Sequence, residues 1–325
     1  MQHRRMGNTG LTVSELGLGT LTWGRDTMLS EAESLWRRFH DAGGNLIDTA
    51  PTYGEGQAES VIGELLTTTF DRNQTVLVTK GGYRETGTGL TFSNSRNALL
   101  QSIDRSLARL QTDYIDVFLL ERRDHNTPVE ETLSALDMAL RSGRVRYFGV
   151  SNLSAWDTAE IYYLSHHLSS PMAVVEAEYS LLQRGVEREL LPALERHSIG
   201  FFAWSALARG VLTGKYRHST PADSRAASPQ LAAFVAPYLT DRSAKVVEAV
   251  AATAQGLDVT PTDVALSWLT QQNRVHCALV GPRTTQQITQ ILAGTTFELP
   301  QPLVEALTEV SQPQLGYPET FAVEV

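Results

Sequence analysis

The chain has 325 residues, of which 42% are hydrophobic and 19% charged, a balance that can fill the core of a globular protein. Its net charge of −9 excludes a general binder of nucleic-acid backbones, though not a local basic pocket for a small anion. The single Cys277 excludes an internal disulfide. With no zinc-ligand spacing, secretory leader or spanning apolar run, a soluble cytoplasmic protein with no metal and no membrane partner is expected.

In chain order, residues 1–14 carry two glycine turns and predict a small hairpin. A repeated unit follows: a short apolar run, a polar break and a stretch of helical period. The runs predict eight strands, at 16–19, 45–49, 76–79, 115–120, 147–150, 173–177, 200–203 and 278–280. Helices are predicted between and after them at 30–42, 58–66, 95–110, 129–142, 155–166, 187–197, 243–255, 261–272 and 285–292. Ser30 ahead of Glu31 and Glu33 reads as a helix start, and Gly43 after Ala42 as a stop.

Eight strands alternating with helices predict one (β/α)8 TIM barrel over 1–325, with an N-terminal hairpin and long loops on its C-terminal face. A doubly wound open sheet would show G-x-G-x-x-G after its first strand. Here that place reads Leu16-Gly17-Leu18-Gly19-Thr20, so the barrel is favoured. Segment 208–240, rich in Ser, Pro, Ala and Arg, breaks the repeat after the seventh strand. It is either a lid or binding loop on the C-terminal face or a tolerated surface loop. The tail, 311–325, either drapes over the pocket or hangs loose.

In a barrel, residues just past the strand ends converge on one pocket. Those positions hold Asp48 with Tyr53 after the second strand, Lys80 after the third, Glu121 after the fourth, and Ser151 and Asn152 after the fifth. Each has a bland reading alone, as a turn residue, a solvated end or loop packing. Together they bring an acid, a phenol, an amine and a second acid to one place. A lysine held charged by Asp48 lowers the pKa of a neighbouring phenol, which can then exchange a proton. Carbonyl reduction needs that, since hydride arrives on carbon while oxygen takes a proton.

The chain resembles the aldo-keto reductase superfamily over almost its whole length. The matching stretches are GLGTLTWG (17–24), NLIDTAPTYGEGQAESVIGELL (45–66), VLVTKGG (76–82), YIDVFLL (114–120), RVRYFGVSN (144–152), EAEYSLLQR (176–184), WSALARGVLTGKY (204–216) and GPRTTQQ (281–287). The resemblance implies an extended NADPH, with NADH less favoured, and a small-molecule carbonyl or enone substrate. It also implies an acid–base tetrad that maps onto Asp48, Tyr53 and Lys80, with Tyr53 as general acid.

At the fourth tetrad position the family usually carries histidine, and this chain carries Glu121. Glutamate there resembles the steroid 5β-reductases, which reduce a conjugated C=C bond. A buried, protonated carboxyl can donate to an enone oxygen and polarise the β-carbon toward hydride. The alternatives are a Glu121 ionised and paired with Arg122, Arg123 or Lys80, or His125 standing in for the missing histidine.

The resemblance further implies backbone under the nicotinamide ribose from Gly19, Thr20 and Leu21, with Trp23 beside the substrate. It implies carboxamide contacts from Ser151 and Asn152, ring stacking by Trp204, and a pyrophosphate cover from Ser205, Leu207, Arg209, Gly210 and Lys215. Gly281, Arg283 and Gln287 fall where the adenosine 2′-phosphate and adenine are held; Arg283 suits a phosphate at a helix start. Two positions depart. Glu176 replaces a carboxamide-contacting glutamine, and Gln290-Ile291 replaces a Glu-Asn pair near the adenine. A second class of function shares this fold, a redox-sensing subunit that binds NADPH and regulates a partner, like the potassium-channel β subunits.

Overall fold

The computed structural model describes residues 1–87, 89–314 and 316. Strands β1 (His3–Arg5) and β2 (Thr12–Ser14) form the expected antiparallel hairpin. The barrel strands are β3 (Leu16–Gly19), β4 (Leu46–Asp48) and β5 (Val76–Gly81). A second hairpin, β6 (Tyr83–Thr86) with β7 (Gly89–Phe92), interrupts them. They resume with β8 (Ile115–Leu120), β9 (Val145–Ser151), β10 (Val174–Glu178), β11 (Gly200–Trp204) and β12 (Cys277–Val280). These eight close in the order β10-β11-β12-β3-β4-β5-β8-β9, all parallel, as a (β/α)8 barrel.

Strand parity decides what reaches the interior, because alternate residues face opposite sides. Leu46, Val76, Val78, Val117, Leu119, Val174, Phe202, Cys277 and Leu279 pack together inside the barrel, and Met6 and Val13 of the first hairpin join them. Their neighbours Ile47, Leu77, Phe118, Val175, Phe201 and Ala278 pack outward with the helices. Gly17 faces inward where the interior is full: a Cβ there would lie 2.6 Å from a Leu279 methyl. Two residues further along each inward parity come Gly19, Asp48, Lys80, Glu121, Glu176 and Trp204. Inward parity on β9 leads likewise from Tyr147 to Ser151. The C-terminal mouth is therefore lined by residue types the rest of the barrel excludes.

The helices differ from expectation in detail. Leu29–Asp41 is preceded by Met28 as N-cap, and Ser30 lies within the first turn, where its carbonyl accepts from Ser34 Oγ at 2.9 Å. Leu190–His197 starts later than expected, after a 3-10 turn at Gly185–Glu187. Gln301–Val310 is an additional helix with Pro302 in its first turn. Segment 208–240 is built from 3-10 turns at Ala208–Thr213, Arg225–Ala227 and Ala236–Tyr238 with a short helix at Ala232–Val235. Of the tail, 315 and 317–325 lie outside the described residues. Among the described residues no helix is long and apolar enough to cross a membrane.

Candidate functional site

Lys80 is the centre of the buried chemistry. At 3% exposure, its Nζ donates to Asp48 Oδ1 and to the Thr49 carbonyl oxygen at 3.3 Å, and lies 3.2 Å from Glu176 Oε1. It also sits 5.4 Å from the centroid of the Tyr53 ring. Burial by itself would drive the ammonium to lose its proton, but the Asp48 and Glu176 charges outweigh burial and raise its pKa well above the usual lysine value. Tyr53 opens the 3-10 turn Tyr53–Gly56, its N–H bound to the Ala50 carbonyl at 3.0 Å. Its phenol behaves otherwise than the sequence suggests. Burial pushes the pKa up, and Lys80 pulls it back only in part.

Glu121 follows β8, with its backbone N–H donating to the Gly81 carbonyl at 3.1 Å. Among the described residues its carboxyl forms no ion pair with an arginine or with Lys80. Burial first and the nearby Glu121 carboxyl second raise the pKa of the Tyr83 phenol, from the second hairpin, while Glu121 Oε2 is buried without a hydrogen-bond partner. Arg123 is engaged with Glu160 at 3.2 Å and Asp157 at 3.7 Å, and Arg122 lies over the Phe92 ring. His125 is exposed on the loop beyond. Trp23 is fully buried in the core beside Trp36, 6.2 Å between centroids, and its indole N–H has no partner.

A cavity of about 390 Å³ opens from this centre across the C-terminal face. Asp48, Tyr53, Gly19, Thr20, Leu21 and Trp204 line its inner part; Ser205, Leu207, Arg209, Gly210, Lys215, Gly281, Arg283 and Gln287 line the rest, with Gln290 and Ile291. Lys80, Ser151, Asn152, Glu176, Glu121 and Trp23 are not on its wall. Asn152 is tied sideways, its Nδ2 donating to Ser151 Oγ at 3.0 Å and its Oδ1 accepting from Trp204 Nε1 at 2.9 Å. Backbone in the left-handed region concentrates here, at Asn152, Ser205, Ala208 and Arg209, as strained backbone does at working sites.

Segment 208–240 forms much of the wall, through Arg209, Gly210, Thr213, Lys215, Arg225 and Phe234. Arg225 was not singled out from sequence. Its Nη2 donates to the Gly281 carbonyl at 2.7 Å, and its buried Nε has no partner. Arg283 reaches back to the Asp223 carbonyl, so the two loops clasp each other. Among the described residues none of Lys215, Arg225 and Arg283 pairs with a carboxylate. Burial and mutual repulsion lower Lys215 to about 8 and Arg225 to about 10. Uncompensated cations with a free guanidinium N–H on a cavity wall fit a phosphate-bearing cofactor.

A closed parallel barrel with its ionisable residues at the C-terminal strand ends is the architecture of barrel enzymes. The aldo/keto reductase family model matches residues 15–312, and the chain belongs to that family, a family of oxidoreductases. It is 33% identical over 323 residues to L-glyceraldehyde 3-phosphate reductase of Escherichia coli O157:H7, covering 96% of this chain and 92% of that protein. It is 34% identical over 298 residues to a probable voltage-gated potassium channel subunit beta of Oryza sativa subsp. japonica, covering 89% and 90%. A protein so named from Arabidopsis thaliana is 33% identical over 331 residues, covering 99% and 100%.

Proposed function

We propose that this chain is a cytoplasmic NADPH-dependent reductase in which Tyr53 gives a proton to a small substrate, with Lys80 and Asp48 tuning the phenol. The observation that carries the reading is the cavity. Asp48 and Tyr53 line its inner end, Lys80 lies directly behind them, and three unpaired cations line the wall further out. When bound, the reduced nicotinamide supplies the hydride. Arg225, Arg283 and Lys215 would hold the phosphates, and their charge favours NADPH over NADH, which lacks the 2′-phosphate. Trp204 would present its ring to the nicotinamide. Ser151, Asn152 and Glu176, which the resemblance assigns to the carboxamide, would have to reach it from behind the cavity wall.

Glu121 bears on which bond is reduced. Its Oε2 is buried and unpartnered, an atom for which a substrate oxygen is a suitable partner if the carboxyl carries a proton. That supports preferential reduction of enones over plain aldehydes, with ordinary carbonyl reduction as the alternative. NADPH oxidation assayed with a conjugated enone, a plain aldehyde and L-glyceraldehyde 3-phosphate tests this; the last is named for the Escherichia coli relative. An aldehyde preference unchanged in Glu121→His would sink the enone reading.

The two plant relatives favour a second reading, a cofactor-binding regulatory subunit with little turnover. Steady-state turnover, measured against recovery of a co-purified partner, separates it from the first.

A further inference from the structure

Glu176 makes a contact with Lys80 that its assignment to the carboxamide does not use. On β10 it pairs in register with Ser151 of β9 and Phe202 of β11, and its side chain enters the barrel, 2% exposed. The charged and titratable groups that face it come from other elements: Asp48 on β4, Lys80 on β5, Tyr53 in the turn after β4, and the Cys277 thiol on β12. An ammonium has three N–H groups. Lys80 gives two of them to Asp48 Oδ1 and the Thr49 carbonyl, and Glu176 Oε1 lies 3.2 Å from the same Nζ, where it competes with the Tyr53 hydroxyl for the third.

Two buried carboxylates against one ammonium leave an excess negative charge, which such pairs relieve by keeping a proton. Asp48 makes the closer contact with Lys80, so the proton belongs on Glu176, whose Oε2 has no partner. Burial and the Asp48 charge push the Glu176 carboxyl up to about 8. Reduction breaks the Tyr53 O–H bond. The proton passes to the substrate, the electron pair stays on the phenolate oxygen, and Lys80 is the cation beside it. An ionised Glu176 competes for that same ammonium.

We propose that Glu176 is a positioning residue that governs how far Lys80 can serve Tyr53: protonated, it releases the lysine to the phenol; ionised, it holds the lysine back. This rests on the reading of Tyr53 as proton donor given above. Acting through Lys80, it makes activity fall as Glu176 ionises.

The test joins a pH profile to a measurement that needs no turnover. For the wild type, kcat is expected to fall about tenfold as pH rises from 7 to 9.5, and in E176Q, which cannot ionise, that limb should move to higher pH. Infrared difference spectra of the protein without cofactor should show a protonated-carboxyl C=O band at pH 6 that is lost by pH 9.5 and is absent in E176Q. Superimposable alkaline limbs in the two proteins would overturn the proposal. So would the lack of any carboxyl band titrating above pH 7 in the wild type, which is decisive even if E176Q does not fold. If no carbonyl or enone is turned over, the reductase reading fails on its own, while the infrared band still decides the state of Glu176.

Discussion

Arg209 is locked to Glu178 by a two-point ion pair, Nε to Oε1 at 3.1 Å and Nη2 to Oε2 at 2.8 Å. Its guanidinium lies 3.8 Å from the Phe234 ring centroid and 4.9 Å from that of Tyr238, and it donates to the Phe234 carbonyl. The arginine implied by resemblance to cover a pyrophosphate is thus committed to a strut, which ties segment 208–240 to the end of β10. Removing Glu178 leaves a largely buried guanidinium uncompensated, a loss of about 3 kcal/mol when one partner of a buried pair goes. Glu178→Ala should therefore unfold at lower denaturant concentration and bind cofactor more weakly, since the cavity wall loosens. Denaturation and fluorescence titration check both; unchanged cofactor affinity would mean that the wall stands without the strut.

The cation cluster makes a prediction with a pH sign. Lys215, lowered to about 8 by burial and by Arg225 and Arg283, is charged below that pH and neutral above it. A bound phosphate stabilises the charged form, so binding of the cofactor's phosphates should take up protons near pH 8 and weaken as pH rises further. Calorimetry in buffers of different ionisation enthalpy measures the uptake. Arg225→Ala and Arg283→Ala should each weaken NADPH by ~1.5–3 kcal/mol, roughly ten- to 150-fold, as for a charged hydrogen bond. NADH should change far less. Equal losses for both cofactors would show that the arginines do not read the 2′-phosphate.

How much of this was legible in the sequence varies with the range of the interactions concerned. The eight strands stood out because parallel strands covered on both faces must be apolar throughout, as in Ile115–Leu120. Asp48, Lys80 and Glu121 stood out because they end such runs. Arg225 did not, because its place depends on meeting Gly281, 56 residues away, across a segment with no period. The Glu176 contact with Lys80 had an available signal that went unused: inward parity from Val174 puts residue 176 inside. The helix Gln301–Val310 likewise announced itself through Pro302 and the spacing of Val304 and Leu307. The start at Met28 had no side-chain signal, since its cap makes no side-chain hydrogen bond.

Tyr83 brings the second hairpin beside Glu121, so its hydroxyl should matter to selectivity more than to stability. Tyr83→Phe removes one polar hydroxyl, at a cost of about 1 kcal/mol of stability or less. It also takes away the hydroxyl that neighbours the Glu121 carboxyl. The expected result is a modest loss in melting temperature and a several-fold change in the enone-to-aldehyde ratio of kcat/KM. A ratio identical to wild type would mean that the orientation of Glu121 does not set the choice of bond.

Glu176 also makes the protein's stability depend on pH. Its pKa in the folded chain is raised to about 8 from an ordinary 4.5, by burial first and the Asp48 charge second. A carboxyl shifted upward binds its proton more tightly when folded than when unfolded. At pH below 4.5 both states hold the proton and its contribution is fully present. Between 4.5 and 8 only the folded state keeps it, and stability is lost progressively; above 8 the loss is complete. Glutamine at this position has no proton to lose. The difference in melting temperature between Glu176→Gln and wild type should therefore grow in favour of the variant from pH 5 to pH 8 and then level off. Lys80 opposes the trend, because its raised pKa keeps it charged throughout this window and it attracts the ionised carboxylate. A difference that is flat from pH 5 to pH 8 would mean that this attraction cancels the cost of burying the second carboxylate, and that Glu176 is ionised beside Lys80 at neutral pH.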